Sequence, residues 1–197
     1  MKPIIGIIMR DSVSESGHDI LYVYTEIINC IIKSGGIPIG IPNKYLDNYL
    51  DICKGFIMEG GSEFDKQDFI IIKKIKEKDI PLLGICLGMQ EMAYLVNGTI
   101  KDVNDHMNMK HEININKDSL LYKILVVDKI YVNSRHKSSI AKTKLFVSAY
   151  STDGVIEAVE DKNNKFYLGL QWHPENMYDD INAKKIFDYF IKVCHDN

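Results

Sequence analysis

The sequence predicts an α/β protein: a three-layer sandwich whose mostly parallel central sheet carries an antiparallel extension. Three observations predict it. Strand-like and helix-like segments alternate through the first half of the chain. From about residue 110 the pattern changes to five short strands separated by turn signals. The 197 residues, 46% of them hydrophobic, suit one domain with a sizeable core, spanning 1–197.

The elements follow in order. Lys2 to Met9 (KPIIGIIM) is a buried strand. Tyr22 to Ser34 places Val23, Ile27, Cys30 and Ile31 on one helical stripe, and Gly35-Gly36 ends that helix. Ile37 to Ile41 is a strand bounded by prolines, and Phe56 to Met58 is another. Lys66 to Lys78 is an amphipathic helix with apolar Phe69, Ile70, Ile72 and Ile75 and a solvated lysine face. Pro81 to Ile85 is again a strand and Met89 to Val96 again a helix. The later strands are His111 to Ile115, Lys129 to Val132, Leu145 to Tyr150, Ile156 to Glu160 and Tyr167 to Leu170. Asn182 to Val193 closes the chain as a helix, with Ile186, Phe187 and Phe190 on its inner face.

Bulk properties exclude several classes. A formal net charge of −3 gives no reason to expect nucleic acid or an anionic membrane as partner. No apolar run approaches the roughly 20 residues of a membrane span. The apolar Met1 to Met9 segment runs straight into Arg10 and Asp11 and reads as a strand, not a signal peptide. Cys30, Cys53, Cys86 and Cys194 lie far apart with no C-x-x-C, which suggests neither a zinc site nor a disulfide framework. A reducing cytoplasm is the expected setting.

The chemistry concentrates in Gly84-Ile-Cys-Leu-Gly88, where an apolar strand meets a helix. This is G-x-C-x-G, the cysteine form of the nucleophile elbow. A residue on so tight a turn has strained backbone, and side chains on its near neighbours would collide, so glycine flanks it. The sulfur then stands at the sheet edge and at a helix N-terminus, which favours negative charge; thiolate is the nucleophilic form of cysteine. Taken alone, the motif also fits a buried cysteine in a βα turn. Cys30 and Cys194 lie in helical patterns and read as packing residues, and Cys53 has no supporting motif.

Far downstream, Gln171-Trp-His-Pro-Glu175 follows a strand. A thiol needs a base and its leaving amine needs an acid; the His173 imidazole can serve as both. Glu175 would fix the tautomer of that ring and steady its cation. A third segment, Glu59-Gly-Gly-Ser62, offers backbone N–H groups. With the N–H of Leu87, that of Gly60 or Gly61 would form an oxyanion hole. A plain loop after a strand fits this segment equally well.

With these pieces together, the chain resembles the class I glutamine amidotransferases. Within them it resembles the peptidase C26 type branch of γ-glutamyl hydrolases that includes γ-glutamyl-γ-aminobutyrate hydrolase. The likeness runs from the opening strand with Arg10, through Gly84 to Gln90, Gly98-Thr-Ile100 and Val132-Asn-Ser-Arg-His136, to Ser151-Thr-Asp-Gly-Val-Ile-Glu-Ala158 and Gln171 to Glu175. It implies a flavodoxin-like sheet and a triad of Cys86, His173 and Glu175. It implies an oxyanion hole from Leu87 and the Gly60-Gly61 pair. Gln90 and the stretch Ser134, Arg135, His136, Lys137 and Ser138 would hold the glutamyl moiety of a small-molecule γ-glutamyl substrate. No metal or organic cofactor is implied.

Three departures stand out. Leu87 occupies a position where the branch usually has arginine. Lys137-Ser138 replaces His-Gln. The stretch between Gly61 and the helix at Lys66 is short, which implies an open mouth and a large or polar amine half, such as a γ-glutamyl nucleotide amidate. Two other readings use the same motifs: a glutaminase subunit feeding ammonia to a synthase partner, and a non-catalytic regulator on this fold. The oligomeric state is open, a homodimer included. His18, His106 and His111 lie in no motif and read as solvated or structural, and His136 as shaping the substrate loop.

Overall fold

A nine-stranded sheet runs through the middle of the computed structural model, which describes residues 1–197. In chain order the first strands are β1 (Ile4–Ile8), β2 (Arg10–Val13), β3 (Asp19–Tyr22), β4 (Ile37–Ile41), β5 (Gly55–Met58) and β6 (Leu82–Ile85). Then come β7 (Thr99–Asp102), β8 (Met107–Ile115), β9 (Lys129–Arg135), β10 (Ser138–Lys142), β11 (Phe146–Ser151), β12 (Ile156–Glu160) and β13 (Tyr167–Leu170). The helices are α1 (Thr25–Lys33), α2 (Lys66–Glu77), α3 (Leu87–Leu95), α4 (Leu120–Leu125) and α5 (Ile181–His195). None is long and apolar enough to cross a membrane.

The sheet order is β4-β1-β5-β6-β13-β12-β11-β8-β9. The strands from β4 to β13 pair in parallel. Those from β13 to β9 pair antiparallel, and they are the expected extension.

Alternation within the strands builds the three layers. Ile5 and Ile7 of β1, Ile57 of β5, and Leu83 and Ile85 of β6 face one core, which α1, α4 and α5 cover with Ile27, Ile31, Leu121, Phe187 and Phe190. Ile8, Phe56, Met58 and Leu82 face the other, covered by Ile71, Ile72 and Ile75 of α2 and by Met89 and Met92 of α3. Each such side chain contributes about 1.5–3 kcal/mol when fully buried.

The structure departs from the sequence expectations in places with physical causes. The first helix begins at Thr25 because Asp19–Tyr22 pairs with Arg10–Val13 as an antiparallel hairpin. A turn closes that hairpin, with the Ser14 N–H donating to the His18 carbonyl at 2.8 Å and Gly17 at φ +81°. Leu120–Leu125 is an unexpected short helix, capped by Ser119, whose Oγ accepts the Tyr122 N–H at 2.9 Å. Strands β7 and β10 form a separate pair, and β9 runs on to Arg135.

Candidate active site

Strand β6 delivers Cys86 to the carboxyl edge of the parallel half of the sheet, where α3 begins. Its backbone sits at φ 52° and ψ −103°, a conformation side chains rarely adopt and the kind that clusters at functional sites. Hydrogen bonds hold the turn: the Cys86 N–H donates to the Leu170 carbonyl at 2.7 Å, and the Gln90 N–H donates to the Cys86 carbonyl at 3.2 Å. Both flanking glycines are sterically required. A Cβ on Gly88 would lie 2.4 Å from the Met58 carbonyl oxygen, and one on Gly84 would lie 2.3 Å from the Met92 sulfur.

Strand β13 ends beside β6, and His173 follows it at the head of a 3-10 turn, Pro174–Met177. The turn brings Glu175 back under the ring, with Nδ1 and Oε1 2.6 Å apart. The other ring nitrogen is left for Cys86. Burial lowers the His173 pKa, but hydrogen bonding to Cys86 and Glu175 and their charges outweigh it and raise it to about 10. The ring is therefore a cation at neutral pH, set between sulfur and carboxylate. Burial pushes the Cys30 and Cys53 thiols up to about 12 and about 11, and it raises Cys194 too.

Two residues that the sequence reading assigned no role support this arrangement. Asn133 clamps the His173 backbone from both sides: its Oδ1 accepts the His173 N–H and its Nδ2 donates to the His173 carbonyl, each at 2.8 Å. Gln171 bridges Cys86 and Gln90, its Nε2 3.6 Å from the sulfur and its Oε1 accepting from Gln90 Nε2 at 3.1 Å. The Asn-Ser-x-His and Gln-Trp-His-Pro-Glu stretches contain both residues and were the available signal.

Gly60, Gly61, Cys86, Arg135, His173 and Glu175 line one cavity of about 520 Å³, together with Tyr22, Tyr24, Glu26, Ser62 and Asn176. A Cβ on Gly60 would lie 3.1 Å from the His173 ring and 3.7 Å from the Cys86 Cβ, so only glycine backbone fits there comfortably. The N–H groups of Gly60, Gly61 and Leu87 donate to no protein acceptor. The glycine loop is fixed from below, where Arg10 Nη2 donates to the Glu59 carbonyl at 2.7 Å. Arg10 also pairs with buried Asp68 and Glu91.

The expected substrate segment divides. Arg135 reaches the cavity and donates to Asn176 Oδ1 at 3.1 Å. Ser134 and His136 turn into the interior instead; Ser134 Oγ donates to the His106 carbonyl at 2.6 Å. Lys137 is exposed, and Ser138 Oγ donates to Asp102. Gln90 is buried, and its amide is held by the Ser138 carbonyl at 2.8 Å and by Gln171, so it braces the segment from behind. His18 is exposed as expected, and His106 is buried.

On a sheet of the glutamine amidotransferase type, a cysteine on a strained elbow stands beside a histidine–carboxylate pair, and the class of protein is a γ-glutamyl amide hydrolase. The Peptidase C26 family model matches residues 62–175, more than half of the chain, and the chain belongs to that family. It is 28% identical to the γ-glutamyl-γ-aminobutyrate hydrolase of Escherichia coli strain K12, over 98% of this chain and 94% of that one. It is 29% identical to the glutamine-hydrolysing GMP synthase of Staphylococcus saprophyticus, over 72% of this chain but 28% of that protein. Among solved structures, the Trypanosoma brucei CTPS glutaminase domain with bound acivicin superposes with a TM-score of 0.76 at 17% identity, covering 99% of this chain and 94% of that one. A glutamine amidotransferase from Thermotoga maritima gives a TM-score of 0.72 at 15% identity, covering 100% and 97%.

Proposed function

We propose that this chain, acting as a single domain over 1–197, hydrolyses a γ-glutamyl amide bond through a thioester on Cys86. The observation that carries the reading is the meeting of Cys86 with His173 and Glu175 at one cavity, from segments far apart in the sequence. The Cys86 thiolate attacks the γ-carbonyl carbon. The oxyanion takes the free N–H groups of Leu87 and of Gly60 or Gly61. The His173 imidazolium gives its proton to the leaving amine. The neutral ring then takes a proton from water, which attacks the thioester and releases glutamate. Glu175 holds the ring in one tautomer throughout.

Arg135 supplies a cation for a substrate carboxylate, and Glu26 in the same cavity offers the opposite charge for an ammonium. Past Gly61 and Ser62 a second cavity of about 500 Å³ opens, lined by Arg10, Asp11, Phe64, Asp65 and Lys66 among others. Tyr22, Gly61 and Ser62 border both cavities. That continuity favours an amine half that is large or polar, with a γ-glutamyl nucleotide amidate as one candidate. The test is a panel of γ-glutamyl amides read by glutamate release. A bulky polar conjugate should give the highest kcat/KM. If glutamine or γ-glutamyl-γ-aminobutyrate is best, the large-amine reading is wrong; if none is cleaved, the hydrolase reading is.

The similarity to GMP synthase favours a second reading, a glutaminase that passes ammonia to a synthase partner. Such a subunit would turn over slowly alone, whereas a free hydrolase needs no partner.

A further inference from the structure

Behind the substrate segment, three imidazoles and one carboxylate converge in the interior. His106 precedes β8, His111 lies in β8, His136 follows β9 and Glu157 lies in β12. Each offers one ligand atom, and the four atoms lie within 4.8 Å of one another. Glu157 Oε1 stands 3.5 Å from His106 Nδ1, 3.6 Å from His111 Nε2 and 3.5 Å from His136 Nε2.

Hydrogen bonds between such atoms close to about 2.7–3.2 Å, so these spacings are too long. They come close to the edge of a coordination tetrahedron: ligands about 2.0–2.1 Å from a zinc ion lie about 3.3–3.4 Å from one another.

The site is buried and three of its four ligand atoms are unpaired; the fourth, His106 Nδ1, has only Ser134 Oγ beside it at 3.4 Å. His106, His136 and Glu157 are at most 4% exposed. Both Glu157 oxygens, both His111 ring nitrogens and His136 Nε2 are buried without a hydrogen-bond partner. Burying so many orphaned polar atoms is costly, and a cation that accepts lone pairs would satisfy them together. A supporting shell is also present. His106 Nε2 lies 3.0 Å from Asp153 Oδ2, which leaves Nδ1 as its ligand atom; metal-bound histidines are commonly oriented by a carboxylate in this way. Ser151 Oγ in turn donates to Asp153.

We propose that His106, His111, His136 and Glu157 bind one divalent transition-metal ion, zinc by ligand chemistry, in a closed tetrahedral site. Four protein ligands leave no open position, so the ion is structural. It ties the β8–β9 hairpin to β12 and anchors the turn through His136 that carries Arg135 to the cavity. The resemblance to the glutamine amidotransferases implied no metal, and this site departs from it. The inference stands on the four side chains alone and is independent of the proposed reaction.

The test uses the Cys86→Ala protein, so that the cavity thiol holds no metal. After treatment with a chelator it should take up about one equivalent of zinc and gain thermal stability. Cobalt(II) should give the visible absorption of a tetrahedral site. Glu157→Gln and His111→Ala should abolish the zinc-dependent rise in Tm. Should these two not fold, Asp153→Asn, at the exposed rim, should weaken zinc binding about 10–100-fold. Stripped protein whose Tm does not respond to zinc would overturn the proposal. So would zinc binding left unchanged in both Glu157→Gln and Asp153→Asn.

Discussion

At the residue scale the account turns on His173. Its ring is held through its neighbours as much as through itself, because Asn133 pairs with both of its backbone groups. Asn133→Ala should leave KM nearly unchanged and lower kcat about 10²-fold, since small misplacements of a catalytic group carry that cost. Steady-state kinetics reads the split, and an equal loss in KM would show that Asn133 binds substrate instead. The charge of the ring sets the pH dependence. A histidine pKa raised from 6.5 to about 10 keeps the proposed leaving-group acid protonated through neutral pH. The kcat/KM profile should therefore fall on its alkaline side near pH 10. The sign for stability follows from the same shift. The contribution of the charged ring is whole below about pH 6.5 and fades as pH rises through about 10. Cys86 and His173 were legible in the sequence because glycines and a proline flank them at telling spacings. Asn133 was legible only as a member of the Asn-Ser-x-His stretch, since an asparagine in a strand does not name its partner 40 residues away.

At the element scale the elbow depends on close approach between β5 and α3. Gly88→Ala would press a Cβ against the Met58 carbonyl, and backbone cannot move aside as a side chain can. Overpacking of this kind costs about 1–3 kcal/mol. The displaced helix would carry Cys86 with it, so thermal melts and activity should fall together. Normal activity in a fully stable Gly88→Ala protein would show that the elbow tolerates the shift. The inner parallel strands β1, β5 and β6 were legible because each is a short apolar run buried on both faces. The β2–β3 hairpin was not: seven of its eight strand residues are exposed or half-exposed, and only Arg10 is buried. Its pairing is fixed by a turn and by the Arg10 network, which no hydrophobic period reports. Helix α4 is too short for its period to show.

At the scale of the molecule, the division of the sheet explains where chemistry and support sit. The parallel half brings β6 and β13 side by side, and so brings residues 86 and 173 together. The antiparallel half carries the four metal-ligand candidates at β8, at the end of β9 and on β12, with β11 between β12 and β8. Their spacing in the sequence matches no motif, so only the folded register reveals them. The comparison with the Escherichia coli hydrolase runs over 240 aligned positions against 197 residues in this chain, so insertions separate the two. The Gly61 to Lys66 link, expected from the sequence to be short, begins at Gly61 and Ser62, which border both cavities, and the proposed large amine half rests on that position.

The central claim is a covalent γ-glutamyl adduct on one sulfur. Acid quench during turnover of a cleavable γ-glutamyl amide, followed by peptide mass mapping, tests it directly. The account predicts the glutamyl mass on the Cys86 peptide alone, and a Cys86→Ala protein at least about 10⁴-fold less active. Glutamate release at the parent rate by Cys86→Ala would contradict it.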